Sequence, residues 1–370
     1  MRQPDATTAV QRLLARHRDT IEGYLFIAPF LGIYLVFLIY PFFKGIWISL
    51  HEWDLLAVAF NPAAKILVGL ENYLDTFWGS KMAWGLAAAW PLQALALAGV
   101  ALVWWAVARG RLKRDSATWI TVSLGVLVLA LGIGPGDGGR WYDRRFWPIV
   151  ANTLVFVLFT VPLVTAISLL LAVVLNRQTR MMAVFRTAFF ISQVLSVTVV
   201  TLIWQMMFSP RQGLFANIVR SFGLEPASWL THETLAMAAI VITTVWWSIG
   251  FAMVMFLAGL QEIPRDRYEA ARLDGAGPWN LFRHITLPGI RRTTTLVIVF
   301  EIILHFQVFG QSHLITQGGP NDRTQVLVRY IYQTAFRDSD LGHASALAVI
   351  LFLAMLGFSF LQLRLNREPD

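Results

Sequence analysis

Apolar residues in this chain gather into long unbroken runs, and polar residues gather between them. Eight stretches of about 17 to 25 mostly apolar residues stand out, approximately 24–43, 82–108, 118–134, 148–175, 184–208, 234–260, 293–313 and 343–363. A helix rising ~1.5 Å per residue needs about 20 residues to cross ~30 Å of hydrocarbon, so each run predicts a membrane-spanning helix. A soluble protein with an equally apolar core would scatter charge every few residues along its helices. The pattern therefore predicts an all-α integral membrane protein of about eight transmembrane helices.

Composition agrees with this pattern. The 370 residues are 56% hydrophobic and 14% charged, against about 25% charged in an ordinary soluble domain. A basic segment with Arg12, Arg16 and Arg18 precedes the first run and resembles the start of a signal peptide. Its apolar part is too long, and Pro41, Phe42, Phe43 and Lys44 stand where small residues would mark cleavage. A retained anchor is expected. With the N-terminus inside, nineteen of the thirty Lys and Arg residues fall on the cytoplasmic side, which satisfies the positive-inside rule and returns the C-terminus to the cytoplasm. Residues 1–23 and 365–370 are then cytoplasmic segments flanking a membrane-spanning domain at 24–364.

The net charge of +8 raises the question of nucleic acid. The basic residues sit in short loops beside the spans and make no continuous basic face, so a nucleic-acid partner is not expected. No cysteine occurs, which excludes disulfides, thiolate nucleophiles and Cys-based metal sites. No Gly-Lys pair occurs either, so the phosphate-binding loop of an ATPase is absent. His232-Glu233 lacks the second His of a zinc-protease motif, and no Gly-x-Ser-x-Gly is present. A membrane enzyme that modifies lipids thus has no local catalytic set.

The longest polar connection expected inside, 261–292, contains Pro264, which suits a helix start, and Gly275, which can take the left-handed conformation that ends one. Pro278 and Pro288 bracket a second short helix. Ala270 and Ala271 would let another surface approach closely, although the same pattern suits an amphipathic loop resting on lipid headgroups. Position by position, Glu269-Ala270-Ala271, Asp274-Gly275-Ala276, Phe282, Ile285, Leu287 and Pro288 resemble the EAA motif of binding-protein-dependent ABC importer permeases. Gly69 to Tyr73, Asn152-Thr153-Leu154, Phe185 to Phe190, Phe256 to Gln261 and Thr316 to Pro320 resemble the sugar-importing branch typified by the maltose and glycerol 3-phosphate permeases.

That resemblance covers about 24–78 and 147–365. It implies the type I importer permease fold with a six-helix core, so that 80–147 reads as an inserted pair of helices. It also implies that 261–292 is a coupling loop docking on a cytoplasmic ATPase. The implied partners are a sister permease, two ABC ATPase subunits and an extracytoplasmic solute-binding protein, in a bacterial cytoplasmic membrane.

Polar groups within spans mark the expected solute path, because unpaired polar atoms are costly against lipid and sugars stack on aromatic faces. The seventh run carries Glu301, His305, Phe306, Gln307, Gly310 and Gln311, and Trp247 lies in the sixth. The family's equivalent helix contributes to the sugar site at positions matching Phe306, Gln307 and Gly310, where the family often has an acidic residue in place of Gly310. Glu301 and His305, one turn apart, would equally serve to lock helices together, or to relay protons in an ion-coupled secondary transporter.

Overall fold

The computed structural model describes residues 18–77, 82–84, 90–109, 133–135, 145–177 and 179–365, with isolated helical positions between 117 and 128. The expected span at 118–134 lies mostly outside the described residues, as do residues 1–17 and 366–370 of the two flanking segments.

The chain enters as one long helix. α1 (Arg18–Tyr34) continues through a π-helical stretch, Leu35–Ile39, into α2 (Tyr40–Ser49). The expected end at Phe43 is therefore six residues short. Pro41 does not stop the helix because it falls at the start of α2, where the π stretch has already rerouted the hydrogen bonds that proline cannot make. A polar cap follows, with β1 (His51–Glu52), α3 (Leu55–Phe60), β2 (Ile66–Leu67) and α4 (Glu71–Phe77). β1 and β2 pair antiparallel, His51 opposite Leu67. Asn72 holds the cap together by donating from Nδ2 to the carbonyls of Ser49 at 2.8 Å and His51 at 3.0 Å.

Next, β3 (Met82–Trp84) precedes α5 (Trp90–Ala108) and pairs antiparallel with β4 (Ile133–Pro135). The expected helix from 82 is described only from Trp90, since Met82–Trp84 pairs as a strand with Ile133–Pro135.

The bundle itself is built on α6 (Phe146–Leu175), the bent pair α7 (Arg180–Val194) and α8 (Val197–Phe208), a short α9 (Leu214–Ser221), and α10 (Glu233–Gln261). α10 is its axis. Its most apolar stretch is 61% buried, against 0% for the first helix, which packs on the bundle through its α2 half. Helix α6 lies along it, and Ser168 Oγ donates to the Ile249 carbonyl at 2.9 Å in the buried seam. Helix α7 packs on it as well, at Gly250, where an added Cβ would strike the Phe189 carbonyl.

A connecting segment carries α11 (Arg265–Leu273), α12 (Pro278–Leu281), a π-helical stretch Phe282–Thr286 and α13 (Leu287–Gly289). The chain then returns through α14 (Arg291–Phe306), a π-helical turn Ser312–Thr316, α15 (Leu327–Phe336) and α16 (Leu341–Leu365). Helix α14 packs on α6, α10 and α16, and α16 packs on α2, α4 and α15.

Four described helices are long and apolar enough to cross a membrane, and the α7–α8 pair makes a fifth if it counts as one span. Two expected spans are interrupted. The fifth bends by 102° between Val194 and Val197, and the helix of the seventh ends at Phe306 and restarts at Gly310.

Candidate functional site

The 262–289 segment begins where α10 ends. Pro264 is the N-cap of α11 and lies just outside its first turn, with the helix starting at Arg265. Its C-terminus closes as a Schellman motif: the Ala276 N–H donates to the Ala271 carbonyl at 2.9 Å and the Gly275 N–H to the Arg272 carbonyl at 3.0 Å. Gly275 sits at φ +79°, in the left-handed region that the motif requires. Pro278 then opens the second helix, which runs past Pro288 to Gly289 because a π stretch precedes that proline.

Three contacts seat this segment on the bundle. A Cβ on Gly259 would collide with Thr293, so α10 and α14 touch backbone to side chain there. One turn further out, Ile263 is buried and lies where a Cβ on Gly289 would meet its Cδ1 at 2.7 Å. Beyond that, the Tyr268 hydroxyl meets Thr286 Oγ1 at 3.0 Å. The outer tip is bare. Ala270, Asp274 and Gly275 are exposed, Leu273 is 90% exposed and Trp279 67% exposed. Glu269, Arg265 and Arg272 line a cleft of about 780 Å³ between α11, the end of α10 and Asn176 after α6. Ala271 and Ala276 are half-buried, and Pro288 is exposed.

The two helix breaks meet each other. At ~1.5 Å per residue, the fifteen residues of α7 and the sixteen of α14 climb about 22 and 24 Å from the same end before they stop. Across the gap, a Cβ on Gly310 would run into Val197, the first residue of α8. Broken backbone at membrane depth needs polar partners, since lipid offers none. Trp247 Nε1 donates to the freed Leu195 carbonyl at 3.3 Å, the Val199 N–H is capped by Ser196 Oγ at 3.4 Å, and Gln205 Nε2 reaches the carbonyls of Leu314 at 2.6 Å and Ile315 at 3.2 Å.

The expected path residues divide accordingly. Gln307 is exposed at the break, with Nε2 at 3.5 Å from Met355 Sδ. Gly310 and Trp247 are half-buried beside it. Phe306 and Gln311 are buried, and so are Glu301 and His305, at 1% and 3% exposure. His305 Nδ1 donates to the Glu301 carbonyl at 2.7 Å and lies 3.2 Å from Glu301 Oε2, while its ring packs 5.9 Å from Phe156 of α6. The pair faces the interior of the bundle. Sequence reasoning missed Leu195, Ser196 and Val197 as a site element, although a capping Ser inside an apolar run is a legible signal for a helix start. It also missed Leu273 and Trp279, whose exposure depends on what the rest of the chain leaves uncovered. Among the described residues no group of three or more His, Cys, Asp or Glu side chains could hold a metal ion.

The model of the family "Binding-protein-dependent transport system inner membrane component" matches residues 145–369, well over half of the chain. The chain belongs to this family. It is the permease subunit of an ABC importer, a multi-pass membrane protein. The permease is 26% identical to the probable ABC transporter permease protein YurN of Bacillus subtilis, over 94% of this chain and 97% of that protein. It is 35% identical to the sulfoquinovosyl glycerol transport system permease protein SmoG of Agrobacterium fabrum, over 62% of this chain and 74% of that one. The trehalose/maltose transport system permease protein MalF of Thermococcus litoralis is 28% identical, over 95% and 96%. Among solved structures, a bacterial ABC transporter involved in alginate import contains a chain of the same fold, with TM-score 0.65 and 17% identity, over 96% of the permease and all of that chain.

Proposed function

We propose that this permease carries a sugar or sugar derivative inward, and that its 261–292 segment is the cytoplasmic contact for a separate ATPase. One observation carries the reading. The segment is clamped to α10 and α14 by the Gly259–Thr293, Ile263–Gly289 and Tyr268–Thr286 contacts, yet its tip presents exposed Leu273 and Trp279. An exposed apolar tip on a braced helix suits docking in a partner's cleft, and displacement of that tip is carried directly into the two helices at its base. Helix α14 leads without interruption from this base to the break at Gln307, so the same motion reaches the gap between Val197 and Gly310. ATP acts as the ligand that shifts the permease between its two conformations, and it can do so only by its different affinity for the partner's two states. ATP and Mg are held by that partner, and this chain holds no cofactor.

The sugar assignment draws on the relatives named for trehalose and maltose and for sulfoquinovosyl glycerol, and on the aromatic and amide groups beside the break. Gln307, Gly310 and Trp247 line the path. Glu301 and His305 brace α14 against α6. A sister permease completes the channel and an extracytoplasmic binding protein delivers solute. Both termini lie in the cytoplasm of a bacterial inner membrane, and 80–147 is an insertion into the six-helix family core.

The absence of cysteine makes the test direct. A single Trp279→Cys variant in sealed right-side-out vesicles should resist a membrane-impermeant maleimide, react in inverted vesicles, and cross-link to the ATPase. Labelling from outside, or reconstituted ATPase stimulated only by amino-acid-loaded binding protein, would overturn the proposal.

A further inference from the structure

Beyond the break the chain builds a row of rings. Phe309 stacks on His313 with centroids 4.8 Å apart and planes 16° apart, both rings meet Tyr332 at 5.3 and 5.2 Å, and Tyr332 meets Phe336 at 5.1 Å. The row starts in the residue next to the gap between Gln307 and Gly310 and ends on α15. Tyr332 is 37% exposed and Phe336 62%, so its outer half offers open ring faces.

Two guanidinium groups accompany the row. Arg329, one turn before Tyr332 on α15, is 5% exposed and hydrogen-bonded to Gln325. Arg337 follows Phe336 and is exposed. Neither has a carboxylate within ion-pair distance among the described residues, because Asp338 turns to Arg145 at 3.6 Å and Glu233 takes Arg323 at 3.3 Å. Burial, and then the neighbouring Arg337, hold the Arg329 guanidinium below its ordinary value, opposed by the charge of Asp322. Lipid is a poor cover for this face, since an acyl chain would strand the exposed Arg337. A sugar ring carrying an anionic group satisfies both features, stacking on the aromatic faces while its carboxylate or sulfonate meets the guanidinium.

Resting on the sugar reading above, we infer that the Phe309–His313–Tyr332–Phe336 row with Arg329 and Arg337 is an outer binding lane for acidic sugars, through which solute reaches the helix break. The test uses the complete importer in nanodiscs, trapped open to the outside with ATP and vanadate, and equilibrium binding of a glucuronate-containing disaccharide and its neutral glucose counterpart. The acidic disaccharide should bind about tenfold tighter, and Arg337→Gln should reduce that preference to about twofold or less. Tyr332→Ala should weaken both sugars severalfold, and Tyr332→Phe neither. Equal binding of the two sugars by the unaltered complex would overturn the acidic lane and leave the sugar reading standing, whereas binding of neither sugar would overturn both. Loss of the sister permease from the purified Tyr332→Ala or Phe336→Ala complex would make this face a subunit interface and overturn the lane.

Discussion

Replacing Gly275 by valine isolates the termination of α11 from every other feature of the permease. A Cβ at Gly275 meets nothing within 4 Å, so the substitution introduces no clash with the rest of the chain. What it perturbs is the backbone, held at φ +79° by the hydrogen bonds from Gly275 and Ala276 to Arg272 and Ala271. A residue with a Cβ pays roughly 1–2 kcal/mol to occupy that region, with β-branched residues at the upper end. That is enough to shift a local equilibrium by a factor of about 5 to 30 toward an unravelled helix end. The bundle should fold regardless, since the Gly259–Thr293, Ile263–Gly289 and Tyr268–Thr286 contacts lie outside the motif. In proteoliposomes containing the complete importer, Gly275→Val should therefore keep basal ATP hydrolysis and lose most solute uptake per ATP. Gly275→Asn should keep both, because asparagine tolerates the left-handed region. Normal uptake by the valine variant, with the ATPase still bound, would refute the idea that this turn transmits motion.

Other expectations follow from individual contacts. Gly250→Ala should lower the thermal midpoint of the purified permease, because the new Cβ meets the Phe189 carbonyl, which no side-chain rotation can move; overpacking of this kind costs about 1–3 kcal/mol. Gly310→Ala pushes into Val197 and should slow uptake about tenfold, the equivalent of ~1.4 kcal/mol, with Val197→Ala restoring it in the double variant. Trp247→Phe leaves the Leu195 carbonyl without its donor and should destabilise the elbow by about 1–3 kcal/mol, measured by detergent-solubilised thermal unfolding. Asp75, in the polar cap, has its carboxyl held above the ordinary value of 3.8 by burial and then by Glu71, opposed by His343. A raised carboxyl is a net cost once ionised, so the cap's stability should fall as pH rises through that higher value; Asp75→Asn should raise the melting point at neutral pH and make no difference below about pH 3.8.

The long helices around 24–43, 148–175, 234–260 and 343–363 and the short capped helices of 261–292 were legible from the order of residues alone. Membrane crossing is a property of local hydrophobic length, and a Schellman turn at Gly275 is a property of six consecutive residues, so neither needs the rest of the chain. The same locality misled at Met82, whose apolar run is taken up by pairing with Ile133–Pro135. It hid the interruptions at Leu195 and Gln307 as well, because long apolar runs flank the few polar residues at both breaks, and a partner such as Trp247, which satisfies the freed Leu195 carbonyl, comes from a distant helix. Tertiary structure alone decided that Glu301 and His305 turn inward to Phe156 while Gln307 turns outward. It alone brought Gly310 against Val197, more than a hundred residues away in the chain. Hydrophobic pattern records how far each segment prefers lipid to water, but which face of a helix meets a neighbour is set by packing between segments, and that information is not stored in any one of them.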